Sequence, residues 1–126
     1  MITPLASNDD SLGLDRDILE RMLGIGGDDL RPALIAQLLQ DFLRLRTALG
    51  APEPQDARRA AHELKGLAAT IGARLLAEEA ARFDHLVPET TPSVRAAMVL
   101  GLARQIDSLC AVLGDRSGTA STTSAA

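Results

Sequence analysis

Residues 55–72 read Gln-Asp-Ala-Arg-Arg-Ala-Ala-His-Glu-Leu-Lys-Gly-Leu-Ala-Ala-Thr-Ile-Gly. At a helical advance of about 100° per residue, with His62 at zero, Ala57, Ala60, Ala61, Leu64, Leu67, Ala68 and Ile71 fall between roughly 140° and 260°. That arc is wholly apolar and must face a core. Gln55, Arg58, Arg59, Lys65, Gly66 and Ala69 lie within about 60° of His62. The stretch is therefore read as an amphipathic helix from Gln55 to Ile71, stopped by Gly72, with His62 pointing to solvent.

Outward from this helix, the same periodicity predicts four more. A short one runs from Arg16 to Leu23, with Asp15 as N-cap and Ile18, Leu19 and Met22 on one face, and is broken by Gly24, Gly26 and Gly27. The next runs from Leu30 to Leu49, capped by Asp28 or Asp29, with Pro32 in the first turn. Its expected inward stripe is Leu30, Leu34, Leu38, Phe42, Leu45 and Leu49. After the histidine helix, one from Arg74 to Leu86 presents Leu76, Ala80 and Phe83, with Val87 beyond it on the same side. The last opens at Thr91 and Pro92 and ends at Leu113 before Gly114, with Val94, Met98, Leu102, Ile106, Leu109 and Leu113 inward.

Short connections make consecutive helices antiparallel neighbours. The expected fold is all-α, an up-down-up-down antiparallel four-helix bundle with a short extra N-terminal helix over one end. Its domain spans 14–113, between a loose arm at 1–13 and a disordered tail at 114–126, where Gly-Asp-Arg-Ser-Gly-Thr-Ala-Ser-Thr-Thr-Ser-Ala-Ala has no apolar face to bury.

Composition agrees. The 126 residues suit one domain, and two Phe with neither Tyr nor Trp favour a helical core of Leu, Ala, Ile and Val over a sheet. A net charge of −4, mixed along the chain, argues against a nucleic-acid partner. The lone cysteine, Cys110, lies in an apolar run and is read as a buried, inert thiol. No run approaches about 18 apolar residues, and the N-terminus has no basic-then-apolar leader, so no membrane partner and a cytoplasmic location are expected. Well-spaced polar faces favour a monomer.

The face around His62 carries the chemistry. Imidazole is a covalent nucleophile. Lys65, at i+3, brings a fixed positive charge to the same patch, able to offset a phosphoryl group by charge-assisted hydrogen bonding. Gly66, at i+4, costs about 1 kcal/mol relative to Ala inside a helix, and leaves a notch through which a partner's backbone can approach. Ala69 extends this floor of small residues. Arg58 and Arg59 add positive potential suited to an acidic partner surface.

Ala61-His62-Glu63-Leu64-Lys65-Gly66, followed by Ile71-Gly72-Ala73, resembles the A-H-x-L-K-G-x-x-x-x-x-G-A signature of histidine phosphotransfer (HPt) domains. The resemblance covers residues 14–113 and implies that His62 carries a phosphoryl group between the aspartates of receiver domains. It further implies that Lys65 steadies that group and that Gly66 clears space for the receiver. Any Mg²⁺ would belong to the partner receiver, so no cofactor is expected on this chain. Family members often place Gln or Glu about 22 positions after the histidine to bond its second ring nitrogen. Here that position is Asp84, which either orients the imidazole or is a plain surface carboxylate.

The expected function is thus a phosphorelay carrier in two-component signalling rather than a small-molecule turnover enzyme, with receiver domains of response regulators and hybrid kinases as partners. The alternative is a non-catalytic helical adaptor that binds or sequesters a receiver. A metal site from His62, Asp84 and His85 ranks low, because tight binding needs three or four donors converging on a shaped site.

Overall fold

A computed structural model describes residues 13–116. It is all-helical: α1 Arg16–Leu23, α2 Arg31–Ala48, α3 Pro54–Thr70, α4 Arg74–Leu86, a 3₁₀ turn Val87–Glu89, and α5 Pro92–Arg116. The four longer helices form a closed ring of contacts, α2 against α3, α3 against α4, α4 against α5 and α5 back against α2. The arm expected at 1–13, apart from Gly13, and the tail beyond Arg116 lie outside the described residues.

The core comes from one stripe on each helix. The histidine helix buries Ala57, Ala60, Ala61, Leu64 and Ala68, with Ile71 just past its end and Leu67 half-buried. Across from it, α4 buries Leu76, Ala80 and Phe83. Small alanines on both helices let the two backbones come close, and α3 and α4 are the most closely associated pair. Among the described residues the fully buried set is wholly apolar; the Cys110 thiol is half-buried and only the Oε1 atom of Gln105 is enclosed without a partner.

Two ends of the expected stripes face water. Leu30 is 58% exposed, lying over Gly26, and Val94 is 49% exposed. Val94 belongs to the first turn of α5, where Arg95 turns inward and donates to the Pro52 carbonyl oxygen (3.2 Å). On α1, Leu19 and Leu23 are fully buried, whereas Ile18 is partly exposed and Met22 half-buried. Cys110 is half-buried, and burial raises its thiol pKa, with the Asp107 charge adding and Arg46 opposing.

The helix ends show which local signals acted. Asp15 caps α1, its Oδ1 accepting from Ile18 N (3.1 Å), and Thr91 does the same for Val94 N at the start of α5 (3.2 Å). Neither Asp28 nor Asp29 caps α2. Successive turns, Gly27 N to Gly24 O and Leu30 N to Gly27 O, lead directly into the helix, and Leu30 fills the cap position without a side-chain bond. Gly114 does not stop α5, which continues to Arg116. There the Arg116 carbonyl oxygen accepts from Arg31 Nε (3.3 Å), and Arg116 Nε donates to Glu20 (2.8 Å). Arg31 also donates to Glu20 (3.0 Å), so one carboxylate ties α1 to α2 and α5. The Arg31 hydrogen bond holds the Glu20 carboxyl below its usual pKa; partial burial opposes this, and the charges of Arg31 and Arg116 reinforce it. By length and composition α5 is also apolar enough to cross a membrane; in this fold it spends Leu102, Ile106, Leu109 and Leu113 on the bundle core.

The turn between α3 and α4 sets the position of α1. Gly72 has φ +84°, Gly72 N donates to Ala69 O (3.1 Å) and Ala73 N to Ala68 O (2.8 Å), the Schellman pattern of a helix end. Its carbonyl accepts from Asp15 N (2.8 Å), and Leu14 pairs with Ala73 in an antiparallel bridge. A Cβ at Gly72 would lie 2.9 Å from the Asp15 carbonyl oxygen. Gly72→Ala is therefore expected to destabilise the fold by about 1–3 kcal/mol. A clear drop in melting temperature checks this, and an unchanged one contradicts it.

Candidate functional site

The phosphoacceptor candidate sits near the middle of α3, on the face opposite the alanine stripe. The His62 side chain is 71% exposed. Lys65 is exposed one turn on, and among the described residues it makes no ion pair. Its ammonium is therefore available to a bound group. Gly66 is exposed, and a Cβ placed there would meet nothing within 4 Å. The gap inferred from the helical wheel is present and unfilled. Ala69, one turn further, is exposed as well.

Asp84 comes from the adjacent helix and meets His62. Its Oδ2 lies 3.8 Å from His62 Nδ1, longer than a hydrogen bond but within reach of a small ring rotation. Its other oxygen is engaged. Arg58 Nε donates to Asp84 Oδ1 (3.0 Å) and to the Asp84 carbonyl oxygen (3.1 Å). Gln55, Arg58, Arg59, His62 and Asp84 line one shallow depression of about 210 Å³.

This arrangement changes the expected roles of the two arginines. Arg58 is held by two contacts across the helix pair and does not project freely toward a partner. Arg59 projects outward, paired with Asp56 (2.9 Å) in a well-exposed contact that a partner can displace at little cost. Beside the histidine, Glu63 is bound by Arg44 of α2. Among the described residues no group of three His, Cys, Asp or Glu side chains gathers as metal donors, and His85 joins no such cluster.

A second concavity adjoins the site and is not visible in the sequence. A trough of about 450 Å³ runs beside Lys65 and Ala69, floored by Gly72, Ala77 and Ala81 and walled by Ile18. Its lining exposes far more apolar than polar surface. The signal that could mark it is the spacing of Ala77 and Ala81, one turn apart and half-buried on α4, which line it together with Ala69. Ile18 is added only by the docking of α1 on the Gly72 turn, which no local pattern shows.

The family model for the Hpt domain matches residues 29–115. The chain belongs to the Hpt domain family. The match takes in α2, α3, α4 and almost all of α5, and leaves α1 outside it. Searches of curated proteins and of solved structures find no match. Hpt domains take part in histidine phosphotransfer and interact with receiver domains in phosphorelays. The His62 face, exposed on α3 within the matched region, is where this Hpt domain presents an accessible imidazole beside a lysine that makes no ion pair among the described residues.

Proposed function

We propose that this Hpt domain is a phosphoryl carrier, with His62 receiving the group from one receiver aspartate and passing it to another. The reading rests on one observation: an exposed imidazole stands one turn before Lys65, which makes no ion pair among the described residues, and before the open space over Gly66. In the transfer, the Nε2 lone pair bonds to phosphorus as the bond from phosphorus to the aspartyl oxygen breaks. The electron pair of that bond leaves with the aspartate carboxylate. The ring keeps its Nδ1 proton and takes up positive charge, which Asp84 is placed to offset. Lys65 balances the phosphoryl oxygens. The divalent cation and acidic pocket belong to the receiver, so the chain is a carrier and not a turnover enzyme.

In this reading the four long helices alternate in direction, which puts the acceptor on a rigid strut far from both ends. The apolar trough beside Lys65 and Ala69 offers the receiver its footing. The carrier acts as a cytoplasmic monomer.

Incubation with a phosphorylated receiver tests the proposal. Label should move to the chain, map to the peptide carrying His62, and be lost in acid but kept in alkali, as for a phosphorus–nitrogen bond. Failure of every receiver to label the chain, with receiver binding intact, would leave the adaptor reading instead. Lys65→Ala should slow transfer by about 10–100-fold, the loss expected for one hydrogen bond to a charged group. Single-turnover rates check this, and an unchanged rate removes Lys65 from the site.

A further inference from the structure

We propose that Arg58 is a positioning residue for His62, acting through Asp84. The inference deepens the carrier reading and rests on it. Asp84 is a short side chain asked to reach an imidazole on the neighbouring helix, and alone it would turn among several rotamers. Arg58 removes that freedom. Its Nε donates to Asp84 Oδ1 (3.0 Å) and to the Asp84 carbonyl oxygen (3.1 Å), so side chain and backbone are fixed together. Oδ2 is left as the oxygen facing His62 Nδ1, at 3.8 Å. Arg58 and His62 are i and i+4 on α3, so one helix carries both the clamp and the imidazole.

Helix packing does not require this contact. Ala57, Ala61, Ala80 and Phe83 are fully buried between these helices and their neighbours, whereas the Arg58–Asp84 pair is part-exposed and contributes little to stability. Its consequence is local. A carboxylate held toward Nδ1 keeps the proton on that nitrogen and leaves the Nε2 lone pair free to attack. In free apo protein such contacts are often long and tighten in the reacting complex. During transfer the new phosphorus–nitrogen bond forms at Nε2 as the phosphorus–oxygen bond to aspartate breaks, and the Nδ1 proton stays in place against Asp84.

The test is nitrogen-15 NMR of the imidazole tautomer above pH 8, where an ordinary imidazole is neutral. His85→Asn leaves His62 as the single imidazole. The proton should reside mainly on Nδ1 in the otherwise native chain, and shift toward Nε2 in both Arg58→Gln and Asp84→Asn. Transfer should slow by about tenfold in Arg58→Gln, with no further loss when that change is added to Asp84→Asn. Asp84→Glu, whose longer side chain reaches Nδ1 unaided, should restore both tautomer and rate to Arg58→Gln. An unmoved tautomer in Arg58→Gln, or a loss that simply adds to that of Asp84→Asn, overturns the role of Arg58. The tautomer is read on unphosphorylated protein. A chain that never accepts a phosphoryl group would therefore defeat the carrier reading, while the tautomer would still decide whether Arg58 orients the ring.

Discussion

His62→Gln should reduce phosphoryl acceptance to background while leaving the helical circular dichroism and the melting temperature unchanged. In the carrier reading the nucleophile is lost outright, because an amide nitrogen has no lone pair available to attack phosphorus. The fold is indifferent, because the side chain is 71% exposed and takes no part in the core. Surface changes of this kind usually stay within about 0.5 kcal/mol. Binding to a receiver should persist within a few-fold, since the apolar trough beside Lys65 and Ala69 is untouched. Transfer from a labelled receiver, read beside a binding isotherm on the same preparation, separates the two. Labelling that survives the substitution ends the carrier reading.

Gly66→Leu should raise stability and depress transfer, two effects of opposite sign from one residue. Glycine inside a helix costs about 1 kcal/mol relative to alanine, and leucine is nearly as good a helix former as alanine. A Cβ at this position meets nothing within 4 Å, so the larger side chain extends into water without strain. In the free chain the melting temperature should rise by a few degrees, following about 4–8 °C per kcal/mol for a domain of this size. If the receiver approaches over Gly66, as the carrier reading holds, the leucine would occupy the space its backbone enters. Displacing a reacting group by about 1 Å is enough to cost about a hundredfold in rate. Transfer should fall by at least that much, with Gly66→Ala between leucine and the native residue. Native-like transfer by the leucine variant would show that the notch is not a point of approach.

Much of this architecture is legible in local patterns. The limits of α1 and α4 follow from Asp15, the glycines after Leu23, and Gly72-Ala73. The alanine arc of α3 identifies the buried face, and with it the outward direction of His62. Where local reading departs from the structure, a contact distant in sequence intervenes. Gly114 is a reasonable stop, yet α5 continues because Arg116 is held by Arg31 and Glu20. Asp28 and Asp29 are reasonable caps, yet a chain of turns from Gly24 feeds α2 without one.

The candidate site divides in the same way. His62, Lys65 and Gly66 lie within two turns of one helix, so their common face is a property of helical geometry and needs no tertiary information. The turn between α3 and α4 brings Asp84 near His62, but it does not give the closeness of the approach or the state of the second carboxylate oxygen. On a helical wheel Arg58 belongs to the outward, partner-facing rim, because a wheel shows direction and not reach. A long side chain on the outward face can bend back to a neighbouring helix, and Arg58 does so.

The order of residues alone determined which face of the histidine helix is apolar, and hence that an imidazole, a lysine and a bare backbone share its wet side. That follows from helical pitch, a local and nearly invariant quantity. Only the packed bundle decided that Arg58 grips Asp84, and that Ile18 closes a trough over the alanines of the next helix. Those contacts join residues far apart in the chain. Their geometry depends on the spacing and tilt of neighbouring helices, which no single helix encodes.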